Sequence, residues 1–370
     1  MRTRSNSRPP TATPPNTTQP FAKWPGLCAA TFSLLVGCAL RPSADATDSR
    51  PPSNNALPTV PTADPGKIVA SADDPVEVGS KAISESNSVL QYDFDRPAWT
   101  ITLPERLREI SDIAVLSQSE IACVEDEQGI VFVYDLEAKR ITDEVHFASH
   151  GDYEGLAIVG SQVYVLRSDG VLFQLASLKR HTAVQKIELH LPFRESEGLC
   201  LDSAHSRLLI APKSHEQSGK GKDSRPIYAY DLRQQILVKT PVFDVSVRDI
   251  RRFAKHHDLP IPRRPKKNGE SMHYALHFMP SAIAVHPVSG EVFIISAADH
   301  VLVSSDSIGN VTGYAVLDAE NFRQPEGIAF LPNGDMLISN EAAGKVATLV
   351  LLRRKHGLEA QPMASPAPKG

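Results

Sequence analysis

Residues Gln324–Glu341 read QPEGIAFLPNGDMLISNE, and four weaker copies of this pattern occur upstream. Each copy has a polar residue, a short apolar strand, a turn and a second apolar strand. The polar residues that begin the copies are Ser111, Glu154, Glu197, Ser281 and Glu326. They lie 43, 43, 84 and 45 residues apart. Because repeats of about 40–45 residues built from short strands are typical of propeller blades, the pattern predicts an all-β fold, a β-propeller.

The 84-residue interval between the third and fourth copies leaves the number of blades open, at five or six. It contains a polar, helix-like segment and then a basic, Pro-rich loop. We therefore expect one blade with an insertion at about residues 245–275, and a sixth, degenerate blade is the alternative. Residues 86–354 would form the propeller. The segment Ser88–Thr102 alternates as a strand does, and we expect it to close the ring against the last blade.

The composition is that of a soluble globular protein with unusual ends. Charged residues make up 22% of the 370 residues, and the net charge of −4 predicts no nucleic-acid-binding surface. The 29 prolines cluster near the two ends of the chain. We therefore expect residues 38–85 to be a disordered Pro/Ser-rich tether and residues 355–370 to be a disordered tail. Cys123 and Cys200 lie in predicted strands, where we expect small buried residues rather than a disulfide.

Residues 1–37 have the organisation of a signal peptide. An apolar run from Leu27 to Gly37 follows a basic segment, and it is too short to cross a bilayer as a helix. The basic residues of that segment are Arg2, Arg4, Arg8 and Lys23.

The apolar run ends at Cys38, and Leu35–Cys38 resembles the lipobox of bacterial lipoproteins. The resemblance implies lipidation of Cys38 and anchoring at the bacterial cell envelope, with the propeller on the non-cytoplasmic side. Because Ala39 rather than Asp follows the cysteine, it favours the outer membrane over the plasma membrane. The alternative is an apolar stretch within a disordered tail.

Several segments resemble the SdiA-regulated (YjiK-like) family of bacterial β-propeller proteins, in the order that the family has them. The resemblance extends from about Glu109 to Leu352. It implies a propeller fold, and it agrees with an envelope location because several members are lipoproteins or have signal sequences. The segments are Asp152–Leu175, Ser196–His215, Pro226–Leu232, Met279–Ser296 and Gln324–Glu341.

The residues that begin the innermost strands of a propeller converge near one mouth of its channel. Three of them here are the carboxylates Glu154, Glu197 and Glu326, and Asp112 lies beside the first such position. Carboxylates that crowd together repel one another unless a cation or protons neutralise them, and Ca²⁺ is the cation that oxygen ligands favour. The sequence thus predicts a calcium site at these four residues. The alternative is structural: Glu-Gly marks a tight turn into each strand.

Two functions follow from these alternatives. One is a membrane-anchored binding or scaffold module for an unknown small-molecule or protein ligand. The other is a calcium-dependent hydrolase that resembles esterase, lactonase or phytase propellers. Because two of the five positions are serine, we favour binding.

Other polar residues are weaker candidates. Acidic or amide residues that follow second strands could add ligands, and histidines and basic residues cluster in the insertion. The first group is Asp126, Glu127, Asp169, Asn340 and Glu341; the second is His256, His257, His273, His277 and Arg263–Lys267.

Overall fold

The computed structural model describes residues 90–213, 223–265, 272–274 and 276–355. The predicted signal peptide, Cys38, the tether and all but the first residue of the tail lie outside the described residues. Within this part of the chain, no helix has the length and apolar content needed to cross a bilayer.

The described chain forms five antiparallel sheets of four strands each, arranged as the blades of a propeller. A strand from the N-terminal side comes first, β1 (Trp99–Thr102). Blade 1 contains β2 (Ile110–Val115), β3 (Glu120–Glu125), β4 (Ile130–Asp135) and β5 (Arg140–His146). Blade 2 contains β6 (Tyr153–Val159), β7 (Gln162–Arg167), β8 (Val171–Leu175) and β9 (Val184–Glu188). Blade 3 contains β10 (Ser196–Asp202), β11 (Arg207–Pro212), β12 (Ser224–Asp231) and β13 (Ile236–Ser246).

An insertion separates blades 3 and 4. It consists of the helix α1 (Val247–His256) and a hairpin of two short strands, β14 (Arg263–Pro265) and β15 (Met272–Tyr274). The helix begins at Ser246, whose hydroxyl accepts a hydrogen bond from the Asp249 amide. The long interval between the third and fourth copies therefore holds β13 and this insertion, and the propeller has five blades rather than six.

Two further blades complete the ring. Blade 4 contains β16 (Ala282–Val285), β17 (Val292–Ser296), β18 (Val301–Ser305) and β19 (Val311–Val316). Blade 5 contains β20 (Pro325–Phe330), β21 (Met336–Asn340) and β22 (Thr348–Leu352), and β1 is its fourth strand. β1 pairs antiparallel with β22, with Trp99 opposite Leu351. The predicted closing strand is therefore confirmed.

The core lies between neighbouring blades, and each of the five blade interfaces has its own apolar cluster. In β11, Leu208 and Ile210 pack toward blade 2, whereas Leu209 and Ala211 pack toward blade 4. Both faces of the strand are buried, which explains why it reads as a continuous apolar run rather than an alternating one. Cys123 and Cys200 are buried free thiols in this core, as expected.

Candidate functional site

The first residue of each inner-strand repeat is placed by an irregularity in the strand. Pairing with the second strand shifts register on either side of Ser111, Glu154, Glu197 and Glu326, so that each is the extra residue of a β-bulge. A bulge redirects a side chain without ending the strand. The side chains of these four residues therefore depart from the alternation between the two faces of the sheet. All four lie at the same end of the inner strands.

A second set of equivalent positions follows the second strand of each blade. Its members are Asp126, Ser168, Lys213, Ala297 and Glu341. In four blades the amide of this residue donates to the carbonyl oxygen two residues before the bulge. The pairs are Asp126 to Glu109 (3.2 Å), Ser168 to Asp152 (2.8 Å), Lys213 to Glu195 (3.0 Å) and Glu341 to Gln324 (2.9 Å). The repeat thus brings two side-chain positions per blade to the same end of the ring.

One cavity of about 150 Å³ lies among these positions, and we call it the channel-mouth pocket. It brings together the three predicted glutamates Glu154, Glu197 and Glu326. Three further carboxylates and one lysine also line it. The complete lining is Glu109, Ile110, Ser111, Asp126, Glu154, Glu197, Lys213, Gln324, Glu326 and Glu341.

The lysine is held by the most buried glutamate of the pocket. Lys213 Nζ lies 2.6 Å from Glu197 Oε1, and the Glu197 side chain is 7% exposed, against 43% for Lys213. Burial alone would lower the pKa of Lys213, but its hydrogen bond and attraction to Glu197 raise it above the ordinary value. The ammonium group therefore keeps its proton and supplies a positive charge inside the pocket.

Four other carboxyls of the pocket have raised pKa values and hold their protons more tightly than usual. Burial, followed by repulsion from Glu197, raises the pKa of Glu154 to about 9 and that of Glu326 to about 8. Burial and the neighbouring Glu109 raise the pKa of Glu341 to about 7. Burial, with repulsion from Glu125, raises the pKa of Asp126 to about 6. At neutral pH the pocket thus combines protonated and ionised carboxyls, which can donate or accept hydrogen bonds.

Asp112, the fourth predicted metal ligand, does not line the pocket. Its side chain is buried, and its two oxygens accept hydrogen bonds from the amides of Ile113 (2.8 Å) and of Leu156 in the next blade (2.7 Å). Asp112 directly follows the bulge residue Ser111, so its side chain points away from that of Ser111. Its carboxylate therefore links blades 1 and 2.

Calcium binding at this pocket stays a prediction. Ca²⁺ takes six to eight oxygen ligands. Among the described residues, no three His, Cys, Asp or Glu side chains are arranged so that they could hold one metal ion. The Lys213 ammonium also lies 2.6 Å from Oε1 of Glu197, so a cation bound at that oxygen would have to displace it.

Some of the weaker candidates line the channel-mouth pocket and others lie elsewhere. Asp126 and Glu341 line the pocket, whereas Asp169 forms an ion pair with Arg167 at 2.8 Å. His256 is the last residue of α1 and lines a different cavity, together with Asn310. The side chains of His273 and of Arg263–Lys267 lie outside the described residues.

Sequence reasoning missed Lys213, Glu109 and Gln324. A signal for Lys213 was present, because it directly follows a second strand, as Asp126 and Glu341 do. Glu109 and Gln324 each lie two residues before a bulge position. The position after a second strand and the position two residues before a bulge can both be identified in the sequence once the repeats are aligned.

Comparisons with known proteins identify no family for this chain. No protein-family model matches it, and no curated protein does. Among solved structures, it is similar to a glutaminyl cyclase from Myxococcus xanthus, with a TM-score of 0.47 and 14% identity, over 70% of this chain and 95% of that one. A protein of unknown function from Bacteroides thetaiotaomicron matches with a TM-score of 0.41 and 13% identity, over 65% of this chain and 58% of that one. A streptogramin B lyase matches with a TM-score of 0.39 and 11% identity, over 69% of this chain and 98% of that one.

Proposed function

We propose that this protein is a membrane-anchored β-propeller of the bacterial cell envelope that binds a small cationic ligand in the channel-mouth pocket. The observation that supports binding is the gathering of six carboxyl groups around one cavity, with a single lysine among the described residues that line it. The support for anchoring is the sequence of residues 1–38, and the quoted segments support membership of the SdiA-regulated family.

Binding is favoured over calcium-dependent hydrolysis by the composition of the pocket. A metal-dependent hydrolase needs several ligands around one ion and a position for water or substrate. Here the most buried carboxylate is paired with Lys213. A small pocket with excess acidic groups instead suits a compact positive group.

Calorimetry on the full chain, purified in detergent, tests the binding function. We expect heat on titration with either CaCl₂ or butylammonium chloride at constant ionic strength, and reduced heat for Glu154→Gln and Glu326→Gln. Glu137→Gln, at an exposed turn of blade 1, is the control. Absence of saturable heat with both cations would contradict the proposal. Calcium, the cation predicted from the sequence, is one arm of this experiment.

The competing enzymatic function has its own test. A panel of carboxylic and phosphoric esters is incubated with the full chain, with and without chelator. We expect no turnover that depends on the pocket glutamates. If the protein showed chelator-sensitive hydrolysis that Glu326→Gln abolishes, the proposed binding function would be wrong and the protein would be a metal-dependent hydrolase.

Membrane anchoring is tested by fractionation of cells. We expect the full chain in the membrane fraction and Cys38→Ser outside it, because the thiol is needed for acylation. Cys123→Ser, at a buried thiol of the propeller, is the matched control and should fractionate as the wild type does. Identical fractionation of wild type and Cys38→Ser would rule out the anchor.

A further inference from the structure

The channel-mouth pocket already contains a cationic group, and that group belongs to the chain itself. Lys213 is the single basic residue among the described residues that line the pocket. Its backbone is fixed by the hydrogen bond from its amide to the Glu195 carbonyl. The side chain therefore extends from a fixed position at the end of β11 into the ring of glutamates.

The contact shows which chemistry the pocket accommodates. The Lys213 ammonium lies 2.6 Å from an oxygen of Glu197, and that carboxylate is buried. A charge-assisted hydrogen bond of this length is of the strong type. Glu154 is also near enough to interact with the lysine charge. A primary ammonium thus has one hydrogen-bond acceptor in the pocket, on Glu197, and an electrostatic attraction to Glu154.

A second acceptor in the same pocket has no partner. Asp126 Oδ1 is buried and makes no hydrogen bond to any residue that the structure describes. A buried carboxylate oxygen without a donor is costly, and a donor from a bound ligand would satisfy it. Lys213 comes from blade 3 and Asp126 from blade 1. A ligand in the pocket could therefore use an acceptor that the chain's own lysine leaves open.

We infer that the channel-mouth pocket is selective for a primary ammonium group and that Lys213 is a tethered competitor for it. The inference depends on the proposed binding function and gives its ligand class. A primary amine must displace the lysine from Glu197 before it can occupy the same acceptor. The lysine then moves to solvent, which its partial exposure allows. The apparent affinity for the ligand is lowered by the fraction of molecules in which Lys213 occupies the site.

Titration of the full chain with butylammonium and tetramethylammonium chloride at pH 7 tests this inference. Lys213→Met should bind butylammonium about tenfold more tightly than the wild type, because the competitor is removed. Lys213→Arg keeps the positive charge and should bind no more tightly than the wild type. Tetramethylammonium has the same charge but no N–H donors, so it should bind at least tenfold more weakly than butylammonium to Lys213→Met.

A matched control separates competition from a general change in charge. Lys186 pairs with Glu188 at 3.5 Å on the exposed outer strand β9, so Lys186→Met removes an equivalent charge elsewhere. It should leave the affinity for butylammonium unchanged. Thermal unfolding of each variant, measured in parallel, shows that the protein is folded during the titration.

The possible failures are distinct. Equal affinity of wild type and Lys213→Met for butylammonium would overturn the role of Lys213 and leave the binding function standing. Calcium binding without butylammonium binding would overturn the ligand class. Binding of neither cation by any variant would overturn this inference together with the proposed function.

Discussion

The Ser111 hydroxyl in blade 1 donates a hydrogen bond of 2.6 Å to the backbone carbonyl of Tyr153 in blade 2. Ser281 repeats this contact between blades 4 and 5, with the Pro325 carbonyl as acceptor at 3.0 Å. Both acceptors directly precede a glutamate of the channel-mouth pocket. The two serines thus hold the backbone beside Glu154 and Glu326, which explains why blades 1 and 4 have serine where the other blades have a carboxylate.

Ser111→Ala is expected to lower the free energy of unfolding by about 1–2 kcal/mol, because the buried Tyr153 carbonyl loses its donor. Ser305 is the matched control, since it is also a buried serine but its hydroxyl has no partner among the described residues. Ser305→Ala should change stability by less than about 0.5 kcal/mol. Denaturant unfolding with an unchanged m-value measures both. Equal losses in the two variants would argue against a specific contact between blades.

Gly155→Ala is expected to destabilise the propeller by about 3 kcal/mol. A Cβ at this position would lie 2.5 Å from Leu199 Cβ, so the inner strands of blades 2 and 3 would have to separate. Gly160 provides the comparison, because it has a positive φ of 62° but open space around it. Gly160→Ala should cost only about 1 kcal/mol, from backbone strain. A larger loss for Gly160→Ala, measured by thermal unfolding, would show that close approach near the axis is unimportant.

Asp112→Ala should lower the free energy of unfolding by about 2–4 kcal/mol, since two buried amides lose their acceptor. Asp112→Asn retains one acceptor oxygen and should lose less. Both variants should bind cations as the wild type does, because Asp112 lies outside the channel-mouth pocket. If a folded Asp112→Asn protein lost cation binding, Asp112 would be part of the binding site after all.

Glu154→Gln should change how stability depends on pH. The pKa of Glu154 is raised from 4.5 to about 9 by burial, Glu197 and Asp152, with Lys213 opposing them and Glu326 adding to them. Because the pKa of Glu154 is higher in the folded than in the unfolded protein, the contribution of this group to folding stability is fully present below about pH 4.5. It is lost as the pH rises toward 9. Wild type and variant should therefore be nearly equal at pH 4.5, and the variant should be more stable by several kcal/mol at pH 9.

Unfolding in urea at several pH values measures this difference. Glu188→Gln, on the exposed strand β9, is the control for loss of a carboxylate. A constant difference between Glu154→Gln and wild type from pH 4.5 to 9 would contradict the prediction.

The repeat predicts the fold well because every blade is built from the same short strands. The position of Glu326 at the channel mouth could be inferred because equivalent residues of a repeat occupy equivalent places. Asp112 could not be placed, since a bulge decides which of two adjacent residues turns toward the pocket. Lys213 directly follows a second strand, as Asp126 and Glu341 do, but it was missed because a lysine at this position breaks the acidic pattern of the other two.

The pairing of β1 with β22 has a consequence for the order of folding. Within the described residues, the first strand to be synthesised pairs with the last one, so blade 5 cannot be completed until nearly the whole propeller has left the ribosome. Pairing between such distant segments is slow to form. Until then, the β1 edge and the buried aromatic residues Tyr92 and Phe94 that precede it lack their partners from blades 4 and 5. Aggregation during synthesis would therefore begin most readily at the unpaired edge of β1.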